Sequence, residues 1–259
     1  MQLSPRLRLF ALIFAIALIT GALLFWNHAS RTRAAADTVS ADLARAGIDP
    51  AKRTAFEALV RAYILDHPEL LPEAMDRLQA RETADRLKPV RTALETPFPG
   101  AVLGNPAGRV VLVEFSDFAC TFCRGSVADI NALITANPDL KVVERELPII
   151  APDSDPAARM ALAAAVQGKY GAYHAAMFAG PRPDAASITA AASKAGVDLA
   201  TAHAFAKGAD AQQEIARNLA YARQLGISGT PAFAIGGQII AGAVGKAKLQ
   251  DAIDAARKG

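Results

Sequence analysis

A pair of cysteines, Cys120 and Cys123, constrains this sequence more than any other feature. They are the only two cysteines among 259 residues, and they follow an apolar run at 110–115. A Cys-x-x-Cys pair between a strand and a helix places its first sulfur over the first helical turn, where unpaired backbone N–H groups and the helix dipole favour a thiolate. The second sulfur lies on the same helical face and can close a disulfide. The spacing therefore predicts a reversible two-electron thiol–disulfide couple.

Three other uses of the two cysteines fit the sequence less well. A structural disulfide would close a very short loop, which stabilises a fold by about 2 kcal/mol, against about 3 for a fifteen-residue loop. A zinc site would need more ligands, and the chain has no second Cys-x-x-Cys and no paired spacing among His28, His67, His174 and His203. Two reduced core cysteines would make both the spacing and the position after a strand coincidental. We therefore predict neither a metal site nor a cofactor within a single chain.

The composition excludes several classes of function. With 52% hydrophobic residues, the chain can bury a core of roughly one to two domains and is not a disordered protein. Its 28 basic and 25 acidic side chains give a net charge of +3 and are spread along the sequence. Because there is no basic stripe, we predict no nucleic-acid partner.

The N-terminal segment, 1–36, predicts a membrane anchor or a signal sequence. An uncharged apolar run from Leu9 to Trp26 would be about 27 Å long as a helix, close to the thickness of a bilayer core. The alanines at 34–36 could form a signal cleavage site, but Arg31 and Arg33 separate them from the run, which favours a retained anchor. Both alternatives export the rest of the chain, and an oxidising compartment suits a redox pair. We expect a periplasmic domain, anchored to the bacterial inner membrane or soluble if the segment is cleaved.

The next segment, 37–90, has helical periodicity and is too small to form a solid core alone. Docking on the main domain and self-association both remain open for its apolar faces. A linker is predicted over 91–109, where prolines and glycines are frequent. The apolar residues with helical spacing are Phe56, Leu59, Val60, Tyr63, Ile64, Leu71, Met75 and Leu78.

The remainder, 110–259, alternates strands and helices. Strands are predicted at 110–115 and 141–147, with a helix over 120–136 between them. An alanine-rich helical insertion follows at about 155–206, then a helix over 209–225, a hairpin formed by 232–235 and 238–241, and a last helix over 246–257. This order predicts an α/β protein with a thioredoxin fold and a helical insertion, preceded by the N-terminal anchor and short helical region.

Several segments resemble the DsbA-like thiol:disulfide oxidoreductases. The matching residues lie at 114–123, at 145–149 (Arg-Glu-Leu-Pro-Ile), at 168–170 and at 226–233 (Gly-Ile-Ser-Gly-Thr-Pro-Ala-Phe). Residues 63–71 are also similar to the helical oligomerisation region of the ScsC-type branch of that family. The resemblance implies a thioredoxin fold and disulfide chemistry, and the second match shifts the expectation for the N-terminal helices toward self-association.

The two cysteines receive different roles. Cys120 comes first, at the start of the helix, and is the expected attacking thiol, while Cys123 is the expected buried resolving thiol. Thr121 and Phe122 between them add no charge and stand at positions that tune the redox couple. Glu114 precedes Cys120 by six residues in an otherwise apolar strand.

Glu114, Thr230 and Pro231 complete the candidate site. Glu114 is either an edge-strand acid facing water or a buried acid beneath the cysteines, and the resemblance implies the second, with a role in accepting the proton of Cys123. The resemblance also implies a cis Thr230–Pro231 bond beside the cysteine pair, where the backbone of Thr230 binds an extended substrate peptide. We assign no role to His174, and a supporting role in the turn to Asp117 and Phe118.

These features predict an exported thiol:disulfide oxidoreductase that forms or isomerises disulfide bonds in other exported proteins. Its expected partners are unfolded or misoxidised proteins, a membrane redox protein that resets the cysteine pair, and further copies of itself. Binding of a soft metal such as copper by cysteines of several protomers is the alternative. The sequence does not decide between an oxidase, an isomerase and a reductase.

Overall fold

The computed structural model describes residues 26, 45 and 50–258. The chain divides into two compact units, 1–74 and 75–259, so the boundary falls within a helix and not at residue 109 as the predicted linker implies. The first helices are α1 (Pro50–Asp66) and α2 (Leu70–Leu87). Almost all of the predicted membrane segment lies outside the described residues. Among the described residues, no helix has the length and hydrophobicity needed to cross a membrane.

Helices α1 and the first part of α2 expose their apolar side chains. Every apolar residue of the predicted stripe except Ile64, which is half-buried, is more than two-fifths exposed. The exposed members are Phe56, Leu59, Val60, Tyr63, Leu71, Met75 and Leu78.

A five-stranded mixed sheet forms the centre of the larger unit, with the strand order β1-β3-β2-β4-β5. The strands are β1 (Val102–Gly104), β2 (Val110–Ser116), β3 (Leu140–Glu146), β4 (Ala232–Ile235) and β5 (Gln238–Ala241). Strands β2 and β3 are parallel, and the other neighbouring pairs are antiparallel. The central strand is therefore β2, which leads to the cysteines.

Helices cover both faces of this sheet. Alternate residues of β2, beginning with Val110 and Leu112, pack with α4 (Thr121–Ala136) and α10 (Gly245–Lys258). The intervening residues pack with α3 (Arg91–Glu95) and α9 (Ala209–Leu225). Because both faces are covered, β2 is a nearly continuous apolar run, as the sequence indicated.

The helical insertion consists of four helices between β3 and α9. They are α5 (Ser154–Val166), α6 (Tyr170–Ala179), α7 (Ala185–Lys194) and α8 (Leu199–Ala206). Their alanine-rich faces share one core cluster with Phe118 and both cysteines. The insertion therefore encloses one side of the cysteine pair.

The segment 91–109 is more than the predicted linker. It contains helix α3 and strand β1, which pairs antiparallel with β3 and adds an edge to the sheet. Leu94 in α3 is buried, and Arg145 in β3 donates hydrogen bonds to the Leu94 carbonyl. The prolines and glycines of this segment permit tight turns between short elements, which a pattern-based prediction describes as a linker.

Candidate functional site

Cys120 caps the helix that carries Cys123. Cys120 is the residue before the first turn of α4, and its Sγ accepts a hydrogen bond of 3.3 Å from the backbone N–H of Cys123. Both thiols are free, and their residues are 4% and 1% exposed, respectively. Cys123 is buried, as predicted. Cys120 is slightly more exposed, but it is also almost entirely buried. The arrangement holds one sulfur at the helix N-terminus, where the helix dipole stabilises negative charge.

The loop before β4 lies against Cys120. The Thr230–Pro231 bond is cis, in agreement with the resemblance. The thiol of Cys120 donates to the carbonyl oxygen of Thr230 over 3.1 Å. The carbonyl of Pro231 in turn accepts from the N–H of Gly242, which follows β5. Thr230, 110 residues further along the chain, is thereby brought into contact with the Cys120 sulfur.

Asp117 organises the turn that precedes the cysteines. Its Oδ1 accepts hydrogen bonds from the N–H of Ala119 (2.8 Å) and the hydroxyl of Ser154 (2.7 Å). Its Oδ2 accepts from the N–H groups of Ile149 and Ile150 at 2.8 and 2.9 Å. The sequence predicts only a role in the turn for Asp117, and no local pattern indicates these bonds to the loop after β3.

Glu114 is the buried acid of the two alternatives, and the interpretation as a water-facing edge residue is wrong. It lies on the central strand and is 4% exposed. Two residues after Leu112, it lies on the same sheet face, which α4 covers. Burial raises its pKa to about 8. Burial is also the largest cause that raises the pKa of Cys123. Glu114 lies on the sheet face covered by α4, the helix that carries Cys123, so a buried acid and a buried thiol occupy the same layer of the fold.

Two further acids, Glu144 and Glu146, share this face of the sheet. They follow Val142 on β3 by two and four residues, so they share its face, and they are 1% and 2% exposed, respectively. The Tyr170 hydroxyl donates to Glu146 over 2.8 Å, and burial raises the pKa of Glu146 to about 8. Neither carboxyl oxygen of Glu144 has a hydrogen-bond partner among the described residues. Neither acid is among the site residues predicted from the sequence, although the motif at 145–149 indicates this end of the strand.

Apolar side chains surround the cysteines on the exposed side. Phe122 is 69% exposed, and Ile149 and Ile150, held by Asp117, are 42% and 45% exposed. Thr121 is also exposed. Exposed apolar groups beside a reactive sulfur can contact unfolded segments of other proteins without a specific sequence.

His174 belongs to an aromatic cluster behind the cysteines. Its ring lies 6.0 Å from Phe118 and 4.8 Å from Phe178 between centroids. Burial lowers its pKa to about 4, so the ring is neutral at pH 7. Its contacts are those of a packing residue, and we assign it no chemistry. In the part of the chain that the structure describes, no three His, Cys, Asp or Glu side chains are grouped closely enough to bind a metal ion.

Comparison with known proteins gives two family matches. Residues 111–254 match the DSBA-like thioredoxin domain, and residues 53–84 match the copper resistance protein ScsC N-terminal domain. No curated protein sequence matches the chain.

Many solved structures are similar to the chain, and three illustrate the range. A thioredoxin-like oxidoreductase from Silicibacter pomeroyi DSS-3 is 39% identical, with a TM-score of 0.59 over 61% of this chain and 92% of its own. Proteus mirabilis ScsC in a transitional conformation is 27% identical, with a TM-score of 0.60 over 81% and 97%. The thiol-disulfide exchange protein alpha-DsbA2 from Wolbachia pipientis is 26% identical, with a TM-score of 0.62 over 69% and 97%.

Proposed function

Because the chain belongs to the DsbA-like thioredoxin domain family of thiol–disulfide oxidoreductases, we propose that it forms or isomerises disulfide bonds in other exported proteins through Cys120 and Cys123. The observation that carries this proposal is the position of the Cys120 sulfur. That sulfur accepts from the N–H of Cys123 and contacts the Thr230 carbonyl, beside a cis proline. A substrate cysteine that reaches Cys120 would meet both a helix N-terminus and the partly exposed Thr230.

The chemistry follows from these positions. In isomerisation, the Cys120 thiolate attacks a substrate disulfide, one substrate sulfur leaves as a thiolate, and a mixed disulfide forms. A second substrate thiolate then attacks the substrate sulfur of the mixed disulfide, which forms a new substrate disulfide and releases the Cys120 thiolate. If Cys123, after loss of its proton, attacks the Cys120 sulfur instead, the substrate leaves as a thiolate and is reduced, and the cysteine pair is oxidised to a disulfide. In oxidation, a substrate thiolate attacks the Cys120 sulfur of the Cys120–Cys123 disulfide, a mixed disulfide forms, and Cys123 leaves as a thiolate. A second substrate thiolate then attacks the substrate sulfur of the mixed disulfide and releases Cys120, so that two electrons pass from the substrate to the cysteine pair. A membrane redox partner would then reoxidise the pair.

Thr230, Pro231 and the exposed apolar side chains would bind the substrate. An extended peptide can pair with the backbone of Thr230, while Phe122, Ile149 and Ile150 contact its side chains. Thr121 and Phe122 would also tune the redox couple, since they occupy the first turn of α4 between the two sulfurs.

The location proposed for this activity is the periplasmic side of the bacterial inner membrane. The apolar run that ends at Trp26 supports it, whether the run is retained as an anchor or cleaved as a signal. An oxidising compartment also favours substrates that contain disulfides.

Scrambled ribonuclease provides the test of the proposal. The native protein is expected to restore ribonuclease activity, Cys120→Ser to abolish the effect, and Cys123→Ser to accumulate mixed disulfides that a reductant releases. Thr135→Ser is the matched control and should keep native turnover, since it lies in an exposed position near the other end of the same helix and leaves both thiols. Undiminished turnover by Cys120→Ser would contradict the proposal.

Copper handling is the second candidate, and the match of residues 53–84 to the N-terminal domain of a copper resistance protein favours it. Thiolates suit Cu(I), but within the described residues the two cysteines have no third ligand of the kind that completes a metal site. Several protomers would have to contribute. Titration of the reduced protein with Cu(I) under a competing chelator separates this candidate, because tight binding without thiol exchange would replace the enzymatic proposal.

A further inference from the structure

Glu114 and Glu144 are neighbours across the two parallel strands that lead to the site. The two residues are paired in the register of β2 and β3, and both lie on the sheet face that α4 covers, together with Leu112 and Val142. On its other side, Glu114 is paired with Phe233 of β4, which belongs to the apolar core. Of the two residues paired with Glu114 in the sheet, Glu144 is therefore the polar one.

The carboxyl group of Glu144 is buried and has no hydrogen-bond partner among the described residues. Its carboxyl oxygens accept no hydrogen bond among the described residues, whereas Glu146 accepts one from Tyr170. Arg145, between these two acids in sequence, projects to the opposite face, where it pairs with Glu214 at 2.6 Å. No ion pair of the described part of the chain involves Glu114, Glu144 or Glu146.

Two adjacent carboxyls in such a setting do not both ionise. Burial raises the pKa of Glu144 well above its ordinary value, and the charge of Glu114 raises it further. The pair therefore shares one proton, which we place on Glu144 because it is the less exposed of the two carboxyls, at 1% against 4%, and has no other hydrogen-bond partner among the described residues. The titratable groups that interact with one or both carboxyls are Glu146 on β3 and Tyr170 on α6, and α4, which covers the same sheet face, carries Cys123.

We propose that Glu144 is a positioning residue for thiol exchange, which keeps its own proton and donates its carboxyl O–H to the carboxylate of Glu114. A charge-assisted hydrogen bond of this kind stabilises the ionised form of Glu114, the form that accepts the proton of Cys123. This inference rests on the proposed function of the cysteine pair.

The step balances as follows. In the mixed disulfide, the Cys123 S–H bond breaks and its proton passes to Glu114. The Cys123 sulfur bonds to the Cys120 sulfur, and the bond between Cys120 and the substrate sulfur breaks, so that the substrate leaves as a thiolate. Glu144 is protonated before and after the step.

The aromatic disulfide DTNB isolates this step in the full-length reduced protein. Attack by Cys120 releases one thionitrobenzoate, and attack by Cys123 on the resulting mixed disulfide releases a second. Stopped-flow absorbance from pH 5 to 9 then gives the rate of the second phase as a function of pH. The native protein should show two phases, with a second-phase rate that rises with pH.

Replacement of Glu144 by leucine removes the O–H donor and leaves an apolar side chain. We expect the midpoint of the second-phase profile of Glu144→Leu to move up by about one pH unit, which reduces the rate about tenfold at pH 7. Glu144→Gln retains an N–H donor and is expected to keep the midpoint within about 0.3 units of the native one. Glu146→Gln, the matched control on the same strand and face, should move the midpoint less than half as far as Glu144→Leu.

The outcomes separate this inference from the proposed function. An unchanged midpoint in Glu144→Leu, or a slower second phase with the native midpoint, would overturn the role of Glu144. An equal shift in Glu146→Gln would overturn it too, because any buried acid would then have the same effect. Absence of the second phase in the native protein would instead contradict the resolving role of Cys123, on which the proposed function depends.

Discussion

At the scale of single residues, Asp117 links three parts of the chain by one carboxylate. Four hydrogen bonds converge on it, from the turn before Cys120, the loop after β3 and the first residue of α5. A carboxylate that accepts several N–H and O–H bonds is well compensated for its burial. The same residue therefore supports the fold and holds Ile149 and Ile150 beside the site.

Removal of the Asp117 side chain tests this role. Asp117→Ala leaves buried donors without an acceptor, and we expect a loss of about 2–4 kcal/mol in the free energy of unfolding, measured by urea denaturation. Asp117→Asn is the matched variant, since it keeps one acceptor oxygen, and it should lose less. Equal stability of the native protein and Asp117→Ala would contradict the bonds described.

Glu114 makes the stability of the protein depend on pH. Its pKa is raised from 4.5 to about 8 in the folded state, so between these values the unfolded chain loses a proton that the folded protein keeps. Stability contributed by the neutral form is fully present below about pH 4.5, and it falls as the pH rises toward 8. For one group the slope is about 1.4 kcal/mol per pH unit.

Glu114→Gln should therefore flatten this dependence. We expect the free energy of unfolding of the native protein to fall between pH 5 and pH 8, and that of Glu114→Gln to fall less steeply. Urea denaturation at pH 5, 6, 7 and 8 measures both slopes. Identical slopes for the two proteins would mean that Glu114 ionises in the folded protein at its ordinary pKa.

The residues of the site differ in how far a pattern in the sequence predicts them. The cysteines and Thr230–Pro231 carry a spacing and a proline that predict their positions. Glu114 could be proposed because it interrupts an apolar run. Glu144 and Glu146 stand in a charged triplet with Arg145, which looks like solvent-exposed sequence. Their burial depends on helices packed on both faces of the sheet, and no local pattern in β3 reports that.

At the scale of elements, Arg145 joins the strand β3 to helices α3 and α9. It is 1% exposed, pairs with Glu214 of α9, and donates to backbone carbonyls in and after α3, including that of Leu94. The ring of Tyr221 lies 5.5 Å from its guanidinium carbon. These contacts hold the segment before β1 on the sheet face that packs with α3 and α9.

Substitution of Arg145 should destabilise the protein because it leaves the buried Glu214 with only the half-exposed Arg217 as an ion-pair partner and removes the donor to the Leu94 carbonyl. For Arg145→Met we expect a loss of about 3–5 kcal/mol in the free energy of unfolding. The double variant Arg145→Met with Glu214→Met should recover part of that loss. Differential scanning calorimetry or denaturant unfolding would measure the three proteins.

Arg217 provides the control, because it contacts the other oxygen of Glu214 at 3.2 Å but is 55% exposed. Arg217→Ala is expected to cost less than about 1 kcal/mol. If it costs as much as Arg145→Met, the buried network is not what stabilises these elements.

The elements also show where sequence patterns succeed. The hairpin has the predicted strands, 232–235 and 238–241, because Gly236 and Gly237 adopt positive φ angles that a tight turn requires. Strand β1 was missed because three residues are too few for an alternating pattern to be seen. Its pairing with β3 is a long-range contact, and no local signal specifies it.

At the scale of the whole molecule, the two units differ in how they use apolar residues. The larger unit buries them around its sheet, while the part of the smaller unit that the structure describes leaves Phe56, Leu59, Tyr63 and Leu71 more than half exposed. Helices of this kind gain stability when a second apolar surface covers them. The family match over 53–84 concerns this same region.

We therefore predict that the chain self-associates through α1 and α2. Sedimentation of the protein from Asp37 onward, without the apolar N-terminal run, should give a mass above that of one chain. Leu59→Glu, which places a charge on the apolar face of α1, should shift the protein toward the monomer. Ala58→Glu, one residue earlier and on another face of the helix, should leave the association unchanged. A strict monomer, or equal disruption by both variants, would contradict this prediction. Since shuffling of disulfides benefits from several active sites around one substrate, a monomer would also weigh against isomerisation and favour simple oxidation.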